Sequence, residues 1–419
     1  MEHRFLRIRL ILISFTVITD ILFYLILKHF LPLGLHNSPL YLNLVFWIIP
    51  MLFVLYFLFL KFDQTRRQPS ILANLYTASG LFLTIYLPKI VLLVFHLTNM
   101  MLNLVWRGLV LTLDLFLPEI VTYRTFHFIT YAGLVAAGIL FLLLVYGALI
   151  GRFSFKIEKV TLGFANLPVS FHNFRIVQIS DIHLGSWYKK EKKMTRVVEL
   201  INGLTPDLIL FTGDLVNNFS EEADGWHEIL EKTKAKYGKY SILGNHDYGD
   251  YWDWKSEAEK GENMQLLYKA HQNMDFRLLL NQSDTISING HTIGILGVEN
   301  WGKPPFEQYG DLQKAIAGLK PVTFKILLSH DPSHWQAEVH EKTDIDLTLS
   351  GHTHAMQFGF KVGRFQWSPV KYMYKLWSGL YGNNGQYLYV NRGLGSLGFP
   401  GRIGMRPEIT LIKLVGSNN

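Results

Sequence analysis

Not one of the 419 residues is cysteine. That absence excludes disulfides, thiolate metal sites, iron–sulfur clusters and a cysteine nucleophile, so any metal must be held by His, Asp, Glu or Asn. Charge is also scarce: 17% of the chain is Asp, Glu, Lys or Arg against 49% hydrophobic, and the mean hydropathy is positive. Disorder is thereby excluded, because a disordered chain needs the opposite balance. The scarcity is uneven. Residues 1–150 hold 10 Lys/Arg and 5 Asp/Glu, whereas residues 151–419 hold 30 and 28. A net charge of +2 on the later part gives no sign of a broad basic face, and no nucleic-acid partner is expected.

Four apolar runs stand out in residues 1–150: 10–27, 41–60, 71–97 and 128–150. A hydrocarbon core of about 30 Å needs roughly 20 apolar residues in a helix, so these runs read as spans of an all-α transmembrane domain in a phospholipid bilayer. The first follows a basic start, but no small-residue cleavage site comes after it, which argues against a cleaved signal peptide. Arg4, Arg7 and Arg9, then Lys61, Arg66 and Arg67, then Arg152, Lys156 and Lys159 flank the spans on one side; Lys28, Arg107 and Arg124 flank them on the other. This bias predicts a multi-pass protein of the inner cell membrane, with both termini and residues 151–419 cytoplasmic. Met101–Leu117 is ambiguous: an amphipathic, re-entrant or fifth spanning helix, the last of which would put residues 151–419 outside. The third run is expected to break at Pro88-Lys89. Asp20 and Lys89 lie inside spans and are functional candidates on that ground, but Lys89 reads more simply as snorkelling or interfacial and Asp20 as pairing with another helix, and neither is given a role.

From Phe155 the pattern changes to short β-rich runs alternating with polar helical stretches, an α/β signature. Five runs each lead into ligand-type residues: 175–180 into Asp181-Ile-His183, 208–213 into Asp214, 239–244 into Asn245-His246-Asp247, 324–329 into His330, and 346–350 into Gly351-His352-Thr353-His354. Helices are expected over 191–203, 221–234 and 256–274. Ligands bind at the carboxyl ends of strands in open α/β sheets, so these side chains should converge. The small residues before them, Ser180, Gly213, Gly244, Ser329 and Gly351, suit tight strand-to-loop turns. A lone Gly-Asp pair or a lone histidine means little. Five of the eleven histidines after residue 150 fall at the ends of apolar runs beside carboxylates, however, and that makes the set a candidate centre.

In this order the blocks resemble the signature of the calcineurin-like metallophosphoesterase superfamily: Asp-x-His, Gly-Asp, Gly-Asn-His-Asp, a lone His, and Gly-His-x-His. Ile179–Gly185, Gly351–His354 and the tail 389–414 resemble its membrane-associated bacterial branch. The resemblance implies a four-layer α/β sandwich over residues 151–419, two mixed β-sheets flanked by helices. It also implies a phosphoric-ester hydrolase using two divalent ions, manganese, iron or zinc. Asp181, His183, Asp214 and His354 would hold one ion, and Asp214, Asn245, His330 and His352 the other, with Asp214 shared. A hydroxide bridging the ions would attack phosphorus in line with the leaving oxygen. His246 resembles the family's non-metal histidine, which stabilises or protonates that oxygen, and Asp247 would orient its ring. After Gly213-Asp214 the chain reads Leu-Val-Asn-Asn and lacks the Asp-Arg-Gly extension of protein Ser/Thr phosphatases, which argues against that activity.

Three features bear on the substrate. The linker 151–170 is short and keeps the site near the bilayer. Aromatics crowd two loops: Tyr248, Tyr251, Trp252 and Trp254 in one, and Trp367, Tyr372, Tyr374, Trp377 and Tyr381 with Arg364, Lys371 and Lys375 in the other. These read equally as headgroup-resting residues and as core or lid packing. Arg392, Arg402 and Arg406 lie in a Gly-rich tail, where they either grip a second phosphate or serve as surface charge. The expected reaction is hydrolysis of a phosphodiester or pyrophosphate bond in a phosphorylated, lipid-linked substrate. By fold-level analogy a concrete candidate is a UDP-acylated glucosamine. The alternatives are a superfamily nuclease or nucleotide phosphodiesterase, or a membrane scaffold with a vestigial catalytic domain. Oligomeric state is not legible.

Overall fold

The computed structural model describes residues 2–30, 40–59, 67–116, 124–304, 306–363, 365–383 and 385–416. Leu60, Lys61, Arg66, Leu117 and Arg364, named above, lie outside them. The chain forms two compact units: Met1–Asp63 with Ala78–Val145, and Gln64–Thr77 with Tyr146–Asn419.

The second unit holds two six-stranded mixed sheets. One has the order β1 (Lys156–Phe164), β14 (Glu408–Gly416), β2 (Phe174–Ile179), β3 (Leu208–Phe211), β4 (Lys239–Ser241) and β5 (Arg277–Leu278). The other runs β12 (Gly379–Asn383), β13 (Gln386–Val390), β9 (Leu347–Ser350), β8 (Lys325–Leu328), β7 (His291–Gly297) and β6 (Gln282–Ile288). A small hairpin, β10 (Phe360–Val362) with β11 (Phe365–Trp367), stands apart. β3 is apolar throughout because both of its faces are buried. On β3, Leu208 and Leu210 pack between the sheets against Ile326, Leu328, Leu347 and Leu349. Ile209 and Phe211 face the other way, onto Met194, Val197 and Ile201 of helix α5 (Glu191–Gly203). Behind the second sheet, Leu296 and Leu327 pack with Leu312, Ala315, Trp335 and Val339. The result is helix, sheet, sheet, helix: the expected four layers. The helix expected over 221–234 is broken. Only α6 (His227–Leu230) is α-helical there, because Glu222 turns inward to bind backbone N–H groups and Gly225 takes a φ of 78°. α7 (Glu257–Asn273) starts where Ser256 Oγ accepts the Glu259 N–H at 3.2 Å, and α8 (Leu312–Ala317) is short.

The first unit is built from α1 (Glu2–Phe30), α2 (Leu40–Phe59), most of α3 (Pro69–Asp114) and α4 (Phe128–Leu149). Most of its large apolar side chains are exposed, an arrangement that water opposes and a bilayer requires. Three helices are long and apolar enough to cross a membrane, and Leu44–Phe59 is a shorter apolar helix among the described residues. One expectation changes here. The 46-residue α3 is continuous through Pro88, so Met101–Asp114 is its last part and not a separate element. Proline removes one intrahelical bond, a loss that packed neighbouring helices tolerate. Asp20 and Lys89 are each other's partner: Lys89 Nζ pairs with Asp20 Oδ1, and the Tyr86 hydroxyl donates to Asp20 Oδ2 at 2.7 Å. Lys89 Nζ also lies 4.4 Å from the Tyr86 ring centre. Either charge alone would be buried and uncompensated. Asp20→Leu or Lys89→Met should therefore lower stability by about 3–5 kcal/mol, and the double variant should return toward wild type, as read by thermal unfolding in detergent.

Candidate metal and catalytic centre

The carboxyl ends of β2, β3, β8 and β9, with the loop after β4, bring the predicted residues together. Close approach demands glycine at two of these turns. A Cβ on Gly244 would lie 2.2 Å from Asp214 Oδ1, and one on Gly351 would lie 2.3 Å from Asp181 Oδ2. Five of the candidate ligands, Asp181, His183, Asp214, His352 and His354, have φ between 47° and 71°. Left-handed backbone at non-glycine residues costs about 1–2 kcal/mol each, and here it turns the side chains inward.

Asp181, His183, Asp214 and His354 are buried and present ligand atoms all within 4.8 Å of one another. Two donors about 2.1 Å from a common ion can be at most about 4.2 Å apart, so small adjustments suffice to hold one. His183 Nε2 lies 3.0 Å from His354 Nε2 and 3.5 Å from Asp214 Oδ2, and His354 Nε2 lies 3.3 Å from Asp181 Oδ1. His183 Nδ1 is buried without a hydrogen-bond partner. A buried set of two carboxylates and facing imidazole nitrogens fits a divalent cation. On the other side of Asp214, His330 Nε2 lies 3.1 Å from its Oδ2. His352 Nδ1 lies 2.8 Å from Asn245 Oδ1, and the His330 and His352 rings stand 5.1 Å apart.

Electrostatics ready the donors. Burial pushes the Asp181 carboxyl up, but the His354 and His330 imidazoles outweigh it and hold the group at about 2. Asp214 is held well below the usual range in the same way, chiefly by His330 and His246. Burial keeps His183 neutral, lowering it to about 3. For His330 burial acts downward, yet contact with Asp214 wins and lifts it to about 10.

His246 donates its backbone N–H to Asp214 Oδ1 at 2.9 Å, and its Nδ1 lies 2.8 Å from the Asn217 carbonyl oxygen. Asn217, which sequence reasoning did not single out, thus orients the ring. Asp247 does not. Its carboxylate accepts the backbone N–H groups of Asp214, Leu215, Val216 and Gly244 at 2.8–3.1 Å, so it holds the Asp214 loop instead of the imidazole. Glu222, also missed, does the same for Gly185, Asn217, Asn218 and Phe219, and burial pushes its carboxyl up to about 7 against those donors. Two tyrosines of the aromatic loops reach candidate ligands: the Tyr251 hydroxyl accepts from Asn245 Nδ2, and the Tyr374 hydroxyl meets His352 Nε2, both at 2.7 Å. Their position just after the Asn-His-Asp and Gly-His-x-His blocks was the available signal. Tyr248 and Trp377 are buried packing residues, whereas Tyr372 is exposed.

The three arginines do not reach the centre's cavity. Arg392 is 3% exposed and pairs with Glu158 and Glu408. Arg406 donates to the Ser154 and Phe155 carbonyls. Arg402, 1% exposed, donates to the Gly395 carbonyl and places Nη2 3.3 Å behind His354 Nδ1. Arg392 and Arg402 are buried, and a buried guanidinium needs its hydrogen bonds satisfied within the protein, which leaves neither for a phosphate; Arg406 is exposed but is not in the lining of the donors' cavity.

The donors open into a cavity of about 540 Å³. Its lining combines Asp214, Asn245, His246, His352 and His354 with the apolar Met356, Val370, Met373, Leu397 and Phe399.

Residues 174–356 match the family described as "Calcineurin-like phosphoesterase", and residues 4–152 match "Probable Calcineurin-like phosphoesterase, transmembrane domain". The chain is similar to the metallophosphoesterase YkuE of Bacillus subtilis, 34% identical over 264 residues, 60% of this chain and 82% of that protein. It is 31% identical over 279 residues to a Danio rerio "Transmembrane protein with metallophosphoesterase domain", 65% of this chain and 60% of that one. It is 29% identical over 279 residues to "UDP-2,3-diacylglucosamine pyrophosphatase LpxG" of Chlamydia trachomatis, 55% of this chain and 81% of that protein.

Two outcomes follow from the donor geometry. Asp214→Asn should bind added divalent metal about 100-fold more weakly or worse, as measured by equilibrium dialysis and elemental analysis, with circular dichroism unchanged. Because His330, at about 10, keeps its proton at neutral pH without metal, metal binding should release it. Affinity should therefore rise as pH increases toward about 10 and level off above it, checked by calorimetry in buffers of different ionisation enthalpy.

Proposed function

The chain belongs to the calcineurin-like phosphoesterases and is a membrane-associated metallophosphoesterase; on that premise we propose that it hydrolyses a phosphodiester or pyrophosphate bond in a lipid-linked substrate. In this reading Asp181, His183, Asp214 and His354 hold one divalent ion, and Asp214, Asn245, His330 and His352 hold a second. Nitrogen and oxygen donors of this kind suit manganese, iron or zinc. The ions supply Lewis acidity and an activated water when bound.

The chain's own residues do the rest. Asp214 serves both donor sets, with Oδ2 toward His183 and His330 while its Oδ1 is steadied by the His246 N–H. With Nδ1 directed at the Asn217 carbonyl, His246 presents Nε2 for a proton that passes to the leaving oxygen. Tyr374 and Tyr251 steady His352 and Asn245, and Asp247 and Glu222 keep the two catalytic loops in shape.

One observation carries the lipid assignment: beside the candidate donors the cavity is lined by the apolar side chains of Met356, Val370, Met373, Leu397 and Phe399, and its lining contains no Lys or Arg among the described residues. An acyl or prenyl chain suits such a lining, whereas a nuclease or nucleotide phosphodiesterase needs cationic contacts there. The name of the chlamydial relative, a pyrophosphatase of a diacylated nucleotide sugar, supports the same substrate class. A vestigial scaffold is disfavoured because every donor is retained. The Lys/Arg bias of the flanks supports a cytoplasmic catalytic unit in the inner membrane.

The test compares the detergent-purified full chain, its Asp214→Asn variant and a Leu397→Glu variant on bis-p-nitrophenyl phosphate and on a diacylated nucleotide sugar, with manganese added. Leu397→Glu should raise KM for the acylated substrate by about tenfold or more while leaving the soluble diester within about twofold, because a carboxylate opposes apolar burial. Equal rates for wild type and Asp214→Asn would remove the enzymatic reading. Equal losses on both substrates in Leu397→Glu would remove the lipid assignment.

A further inference from the structure

The loop 396–400 has two faces. Leu397 and Phe399 line the cavity of the metal donors, while Ser396, Gly398 and Pro400 line a second cavity of about 360 Å³. The Gln357 amide clamps the loop, donating to the Leu397 carbonyl at 2.8 Å and accepting the Leu397 N–H at 2.7 Å.

The second cavity lies wholly within the unit that holds the sandwich. Its lining includes Arg152, Lys189 and Lys190 and not one carboxylate. Arg152 is half-buried: Nη1 donates to the Pro400 carbonyl at 3.3 Å, the guanidinium lies 4.6 Å from the Phe153 ring, and Nε is buried without a hydrogen-bond partner. Lys189, with a φ of 56°, sets its ammonium 5.3 Å from the Tyr188 ring. Among the described residues none of these cations forms an ion pair. Three like charges around one hollow repel each other, and a bound anion converts that repulsion into attraction. A planar guanidinium with two ammonium groups, and with the Ser186 and Thr77 hydroxyls in the same lining, suits the tetrahedral oxygens of a phosphate.

The cavity's place in the chain indicates where the phosphate comes from. Asn74 and Thr77 belong to the opening turns of α3, whose remainder is spanning helix, and Arg152 follows directly on the end of α4 at Leu149. A cation at the end of a span, as Arg152 is, sits at headgroup depth, and Lys189 and Lys190 line the same cavity. We propose that this cavity is a second phosphate site, separate from the metal centre, which takes the phosphodiester headgroup of an anionic membrane phospholipid. It goes beyond the hydrolytic reading and needs no metal.

The experiment uses the full chain in neutral detergent with EDTA and titrates dioctanoyl phosphatidylglycerol, dioctanoyl phosphatidylcholine and glycerol 3-phosphate, reading binding by thermophoresis. Phosphatidylglycerol should bind most tightly. Lys189→Gln with Lys190→Gln should weaken it about tenfold or more, Arg152→Lys should retain more affinity than Arg152→Gln, and Asp214→Asn should match wild type. Unchanged affinity in the lysine variant would overturn the site. Equal binding of phosphatidylcholine would overturn headgroup recognition, and equal binding of glycerol 3-phosphate would overturn the lipid as its source. Persistence of phosphatidylglycerol binding in Asp214→Asn separates this result from any failure of the hydrolytic proposal.

Discussion

Two carboxylates stripped of water set the terms for the catalytic unit. Asp181 and Asp214 are fully buried at the ends of adjacent strands, and neither has a lysine or arginine pairing with it among the described residues. Their charge is balanced by imidazoles instead, with His354 on Asp181 and with His330 and His183 on Asp214. Such a balance is incomplete at neutral pH, because a histidine held neutral by burial contributes a lone pair and no charge. A site of this composition stores affinity for a small dication, and the four layers around it keep the donors from separating.

Holding that arrangement requires backbone that is unfavourable elsewhere. Five candidate ligands adopt left-handed φ values; buried carboxylates outside the donor set secure the Asp214 loop and the turn after His183, while Asp181 itself accepts the His352 N–H. Asp247 binds four N–H groups around Asp214, and Glu222 binds four around Gly185 and Asn217. Each N–H in such a loop lacks a strand partner, so a carboxylate that collects several replaces a missing ladder. Strain at the ligands and satisfaction beneath them are two sides of one construction.

The membrane unit solves a different problem with the same physics. In a medium that cannot solvate charge, Asp20 and Lys89 neutralise each other, with Tyr86 completing the carboxylate's hydrogen bonds. Around the sandwich's edge the conflict is resolved by segregation. Apolar side chains line the cavity beside the candidate donors, and cations line the hollow across the loop 396–400.

Much of this was legible in the residue string because it follows local rules. Apolar runs ending in Ser or Gly and then a ligand marked β2, β3, β8 and β9, and α5 occupies the expected 191–203. The runs before residue 150 announced a membrane domain by length alone. What remained hidden depends on partners distant in the chain. Asp247 stands next to His246 yet serves the backbone of residue 214, Arg402 lies 48 residues from the His354 it backs, and Asp20 and Lys89 are 69 residues apart. Chemistry at a strand end is written in nearest neighbours, so sequence by itself determined the candidate donors and the presence of an apolar helical part before an α/β part. Which buried charge meets which partner is decided by packing, and only the tertiary structure assigned Asp247, Glu222, Arg392 and Arg402 to support, because a buried charge has to be satisfied within reach of where the fold puts it.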